Sequence, residues 1–287
     1  MTLMTDLGPS ASYVGGHATD ALRDIRALIE HAITNHPRSL QRRIGPSEIG
    51  NPCDHCLAAK LAGWQQVDER SVPWLPTVGT AVHAWLEEQV IRHEVDRIGN
   101  LSDPGRRYLC EQAVMVGTIA GQDIWGSTDL VDVHTGTIID YKIVGLTTLK
   151  KAKAGPSPEY RAQAHLYAKG WNDAGVRVDH VAIAYLPRNA MSLDDGLWWH
   201  EPHDRSIAEA ALERANRLAT NLTALTALGP DAVAAWIRQL ARHDGCWDCS
   251  RYPDGAGITR PGHRPPADTL AGLIPPTAPA AGTTTAA

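Results

Sequence analysis

Asp129, Asp140 and Lys142 fall within one segment, GSTDLVDVHTGTIIDYKIV, with Lys142 two residues beyond Asp140. In an extended strand successive side chains alternate faces, so Asp140 and Lys142 point the same way and Tyr141 points opposite. A turn at Thr135 and Gly136 folds the chain back and lets the neighbouring strand bring Asp129 alongside. Two carboxylates and an ammonium converging on one sheet face suit phosphodiester hydrolysis. The carboxylates hold Mg²⁺ or Mn²⁺, and the lysine orients water or stabilises the charge that builds on phosphorus. Taken alone, a D-x-K tripeptide is also what an ordinary surface ion pair looks like.

A second set of residues points to metal. Cys53 and Cys56 form one C-x-x-C, and Cys246 and Cys249 form another in GCWDC. Four thiolates in two closely spaced pairs are a standard donor set for zinc or for an iron-sulfur cluster. The pairs lie near opposite ends of the chain, so a shared centre would staple the N-terminal region to the C-terminal one across a very long loop. Cys110, the fifth cysteine, reads as a plain buried residue.

These residues need elements to position them. An amphipathic helix is expected before residue 40, with Ala21, Ile25, Leu28, Ile29 and Ile33 at three- and four-residue steps, an N-terminal lid in character. A second helix begins at Pro46 and Ser47, carries Cys53 and Cys56 and ends near Gly63. A third begins around Thr77 and carries Val78, Val82, Trp85, Leu86 and Val90, with His83 and Glu87 beside the apolar stripe. From about Leu109 to Ile143 the period becomes that of a three-strand meander, with turns at Ala120 to Gln122 and at Thr135 and Gly136. A short helix over the lysines, a longer one from Pro158 to Ala174, two further strands (VDHVAIAYLP and LWWHEP) and helix from 204 to about 241 complete the folded region. The expected organisation is a helical extension over 1–40, a main domain over 41–252 and a disordered Pro-, Ala- and Thr-rich tail over 253–287. The fold class is α/β, a mixed central sheet flanked by helices and closed by a four-cysteine metal centre.

Composition narrows the function. The chain of 287 residues has a net charge of -5, against a protein that coats nucleic acid, yet four of its six lysines (Lys142, Lys150, Lys151 and Lys153) fall within twelve residues. That cluster is either a solvated helix face or a contact for DNA. Scarce lysine, abundant arginine and alanine, and no phenylalanine indicate a GC-rich genome. No window approaches a membrane span and the first residues lack a signal-peptide pattern, so a cytoplasmic location is expected. In that reducing compartment paired cysteines point to metal more than to disulfides.

The order of motifs across about residues 46 to 250 resembles the RecB-like PD-(D/E)XK nuclease family, in particular its CRISPR-associated exonuclease branch with an iron-sulfur cluster. Gly79 to His83 fits that family's G-x-x-x-H helix, GSTDLVD its acidic strand, IIDYKIV its D/E-x-K pair, and Gln163 with Tyr167 its Q-x-x-x-Y helix. The resemblance implies a restriction-endonuclease-like core. It implies a catalytic set of His83, Asp129, Asp140 and Lys142, with a metal held by His83, Asp129, Asp140 and the Tyr141 carbonyl, and DNA contacts from Gln163 and Tyr167. Imidazole among oxygen ligands favours Mn²⁺ somewhat over Mg²⁺. Glu87, one turn after His83, either orients that imidazole or is a plain surface charge. The family's iron-sulfur staple uses one N-terminal and three C-terminal cysteines, whereas this chain has two and two. A 4Fe-4S cluster is the expectation and zinc its alternative. The implied activity is hydrolysis of DNA, exonucleolytic and on single strands, in recombination, repair or phage replication, and the implied source is phage or actinobacterial. No G-x-x-x-x-G-K-[ST] loop occurs, so any unwinding needs a helicase or recombination partner. The rival reading is a non-catalytic DNA-end or scaffold protein that keeps the fold and a structural metal.

Overall fold

The computed structural model describes residues 16–35, 44–67, 72, 74–254 and 270–273. The chain forms two compact units, Met1–Gln41 with Arg70–Thr77, and Arg42–Glu69 with Val78–Ala287. The first contains α1 (Ala18–Thr34), whose first turn is capped by the His17 ring accepting the Thr19 N–H. Of its apolar stripe Ile33 is buried, whereas Ile25, Leu28 and Ile29 are exposed. The expected boundary near residue 40 lies outside the described residues.

The second unit is built on a five-stranded sheet in the order β1 (Tyr108–Ile119), β2 (Gln122–Asp132), β3 (Thr137–Val144), β4 (His180–Pro187) and β5 (Leu197–Pro202). The first three strands form the expected antiparallel meander, β4 runs parallel to β3, and β5 returns antiparallel. A parallel neighbour requires a crossover, supplied here by α5 (Leu146–Ala152) and α6 (Pro158–Asp173). Ser157 caps α6 by accepting the Tyr160 N–H, and Pro158 occupies its first turn, where the missing N–H costs nothing.

Two expected helices are each divided in two. The segment from Pro46 to Gly63 divides into α2 (Pro46–Gly50) and α3 (Asp54–Leu61), because Pro52 has no N–H and drives Asn51 out of the helical region to ψ 118°. Arg214 repairs the break: its guanidinium donates to the carbonyls of Ile49 (2.7 Å) and Asn51 (2.6 Å) and to Asp54 (3.0 Å). Likewise the stretch from 204 to 241 is α7 (Arg205–Thr226) and α8 (Pro230–Gln239), separated at Gly229, whose φ of 93° only glycine adopts freely. The helix carrying His83, α4 (Trp74–Ile98), starts earlier and runs further than its apolar stripe suggests.

The core lies where α6 and α7 cover the sheet and α3 packs on α7, around Ile49, Leu57, Val116, Val131, Ile138, Leu166 and Leu218. α6 sits close enough to β2 that a side chain at Gly126 would meet the Tyr167 ring and Pro46. The segment expected to be an unpacked tail has one packed piece. Around Leu270–Leu273 the Gly272 carbonyl accepts the Ile44 N–H, its own N–H donates to the Leu61 carbonyl, and Leu273 is buried. Three apolar residues, Leu270, Leu273 and Ile274, in a short stretch between prolines are too few to stand out from the surrounding composition. The rest of 255–287 lies outside the described residues. No helix among the described residues is long and apolar enough to cross a membrane.

Candidate functional site

Register and strand splay build the site. Pairing between β2 and β3 ends at Leu130 and Ile139, and beyond that point the strands part. The Asp129 carboxylate enters the gap, where Oδ2 accepts the Tyr141 N–H at 2.7 Å. Oδ1 faces His83 Nδ1 at 3.2 Å, and the His83 ring stands edge-on to Tyr141 at 5.9 Å between centroids. α4 thus delivers the imidazole to the strand that bears Asp129.

A third donor was not foreseen from the sequence. Glu111 on β1 places Oε1 4.0 Å from His83 Nδ1, and the ligand atoms of His83, Glu111 and Asp129 lie within 4.8 Å of one another. The flanking pairs Cys110 with Leu130 and Gln112 with Thr128 put Glu111 opposite Asp129. Like charges directly across a strand pair repel unless a cation lies between them. Glu111 also has φ 46°, a left-handed conformation that is costly for a residue with a Cβ, and Ser127 Oγ donates to its Oε2 at 2.8 Å. The strain and the hydroxyl contact together aim the carboxylate at the other two donors.

Asp140 and Lys142 lie one strand further on and share a face as expected, with Nζ 2.7 Å from Asp140 Oδ2. Burial pushes the Asp140 carboxyl up to about 6; Lys142 opposes the shift and Asp129 adds to it. The group is therefore one that gains from nearby positive charge. Burial works against the Lys142 ammonium, yet Asp140 more than offsets it and holds the lysine charged. Lys142 also donates to Gln163 Oε1 at 3.0 Å and rests over the Tyr160 ring at 4.7 Å. One carboxylate, one amide and one ring fix the position of a single cation.

The other expected residues divide between support and surface. Gln163 reaches the site through Lys142. Tyr167 is buried close to Gly126 of β2. Lys150, Lys151 and Lys153 are exposed at the end of α5, immediately after the site strand. Burial pushes the Cys110 thiol up to about 11, with smaller help from Glu87 and Glu111. Cys110 is buried, as expected.

The four remaining cysteines do come together. Cys53 Sγ and Cys56 Sγ each lie 3.6 Å from Cys249 Sγ, Cys246 Sγ lies 3.8 Å from Cys56 Sγ, and all four are within 4.8 Å of one another. Cys53 and Cys56 are buried, and the C-terminal pair is partly so. Bonding from the Cys56 thiol holds Cys53 down at about 4 as a thiolate, and the same contact with burial pushes Cys56 up. Without a cation the thiols cannot all ionise. The group can hold metal.

No protein-family model matches the chain, and no curated protein matches it in sequence. Among solved structures it is similar to an alkaline exonuclease, LHK-Exo, from Laribacter hongkongensis, at 14% identity and a TM-score of 0.42, over 68% of this chain and 95% of that one. The same enzyme in complex with dAMP matches at 14% identity and a TM-score of 0.41, over the same shares of both chains.

Proposed function

We propose that the chain is a divalent-metal-dependent deoxyribonuclease acting at strand ends, with single-stranded DNA as its preferred substrate. The observation that carries this reading is the meeting of His83, Glu111 and Asp129, from three different elements, beside the buried Asp140–Lys142 pair. A structural ion pair needs no third acidic residue strained into place. A site for a divalent ion does.

The donor set fits such an ion: one imidazole and two carboxylates converge, and Asp140 and the Tyr141 carbonyl on the neighbouring strand would complete the shell, a mixture that favours Mn²⁺ somewhat over Mg²⁺. When bound, the ion supplies an activated water and neutralises phosphate charge. The chain's own residues do the rest. Asp129, tied to the Tyr141 amide, keeps its carboxylate directed at His83. Lys142, held by Asp140 and Gln163, presents a fixed positive charge to a phosphate oxygen, where it is worth most as charge develops during bond breaking. The exposed lysines of α5 draw the DNA backbone towards that strand.

The test is cleavage of end-labelled single-stranded DNA with Mn²⁺, wild type against Asp129→Ala. We expect activity in the first and its loss in the second, with Mn²⁺ affinity falling at least tenfold by calorimetry. DNA binding by the wild type with no cleavage under any divalent ion would instead support the scaffold reading.

A further inference from the structure

We infer that Cys53, Cys56, Cys246 and Cys249 close on a single tetrahedral ion, zinc, and not on the four-iron cluster that the family resemblance implies. The inference rests on the cysteine centre alone and is independent of the nuclease reading.

Spacing decides the matter first. Zinc–sulfur bonds of about 2.3 Å directed to the corners of a tetrahedron put neighbouring sulfurs about 3.8 Å apart, the bond length multiplied by roughly 1.6. The observed separations are 3.6, 3.6 and 3.8 Å. In a four-iron cluster each thiolate binds a different iron at a corner of a cube, so the sulfurs stand outside the cube. They would then lie farther apart than the 4.8 Å that contains every ligand atom here. The space between these four sulfurs holds one ion and leaves none for sulfide.

Backbone symmetry is the second observation. Cys53 caps α3 with φ -82° and ψ 106°, and Cys246 caps the 3-10 turn Trp247–Ser250 with φ -60° and ψ 118°. In both pairs the first cysteine is therefore extended at a helix start and the second lies within the first turn. Two like halves facing each other supply two ligands apiece, a division that fits a lone tetrahedral ion. It is not the one-and-three division of the iron staple.

The surroundings match the charge such a centre carries. Four thiolates on one divalent ion leave two negative charges to be balanced. Asn51 Nδ2 lies 3.8 Å from Cys246 Sγ, and His55, whose Nε2 lies 3.0 Å from the Arg242 guanidinium, places Nδ1 3.8 Å from Cys56 Sγ. Asn51 is held in turn by Asp248 at 3.1 Å, which pairs with Lys60 at 2.7 Å. A zinc staple has no redox chemistry, so it would hold α3 to the C-terminal turn in air as firmly as without it.

The full-length chain, purified without oxygen from cells given both iron and zinc, should be colourless and carry one zinc per chain by elemental analysis. The Asp129→Ala variant should carry the same zinc, which separates this centre from the other candidate site. Zinc replaced by Co²⁺ should give the strong visible bands of a tetrahedral thiolate set, read on the wild-type chain so that no cysteine variant has to fold. Treatment with ferrous iron and sulfide should leave the chain colourless. Brown protein holding about four irons and four sulfides, before or after that treatment, would overturn the inference. So would a chain that holds no zinc and gives Co²⁺ spectra without thiolate character.

Discussion

Glu111 shows how one residue can be strained for use. A left-handed backbone costs about 1–2 kcal/mol for a residue bearing a Cβ and almost nothing for glycine. Glu111→Gly should therefore raise stability in EDTA by about 1 kcal/mol, and Mn²⁺ affinity should fall at least tenfold because a ligand is gone. Thermal melts and calorimetry on the same preparation check both signs. A variant that is less stable, or that binds Mn²⁺ as the wild type does, would remove Glu111 from the site. Lys142 should fail in another way. Lys142→Ala takes away no ligand, so metal binding should persist while cleavage falls by roughly two to three orders of magnitude. Loss of Mn²⁺ binding in that variant would mean that the lysine holds Asp140 in place rather than meeting the phosphate.

At the scale of elements, the question is what fixes α4, and hence His83, against the sheet. Glu94 on α4 is buried and takes two bonds from Arg97 (2.8 and 3.1 Å) and one from the Arg107 N–H at the entry to β1 (2.8 Å). The Arg97 guanidinium, with the Arg107 amide, holds its carboxyl down at about 2. Because the folded value lies below the unfolded one, the clamp stabilises fully above about pH 4.5 and fades as pH falls towards 2. Glu94→Gln should cost on the order of 2 kcal/mol at neutral pH, and the difference from wild type should shrink steadily in acid. Urea melts at several pH values test this, and a gap that does not change with pH would rule out the charge as its cause. Arg214 plays the corresponding part for the cysteine centre. By satisfying the carbonyls at the end of α2 and pairing with Asp54 at the start of α3, it sets the angle at which Cys53 and Cys56 are presented.

For the molecule as a whole, the C-terminal region matters more than its composition suggests. Residues 274–287 offer little apolar surface, so their removal should leave stability and activity unchanged. Removing everything after Asp254 also takes away Leu273, whose burial in the core is worth about 2 kcal/mol. Denaturation of the two truncated chains separates these cases. Equal stability would show that Leu273 contributes nothing to the core.

The chemistry was legible because it depends on residue type over short range. Alternation alone puts Asp140 and Lys142 on one strand face, and the two C-x-x-C pairs announce a metal centre without any fold. The three-strand meander and the two later strands follow from period and turn residues in the same way. Glu111 was hidden for a definite reason. Counting back from the tight turn, where Ile119 faces Gln122, would set Glu111 opposite Leu130, but an irregularity between Met115 and Gly117 shifts the register by one residue and brings it opposite Asp129. Nothing local in the sequence encodes that shift. The spacing of four sulfurs drawn from opposite ends of the chain is likewise a property of packing, because it is set by how α3 meets the C-terminal turn. Residue types determined which reactions and ligands were open to this protein, and only the tertiary structure decided which side chains stand close enough to take part.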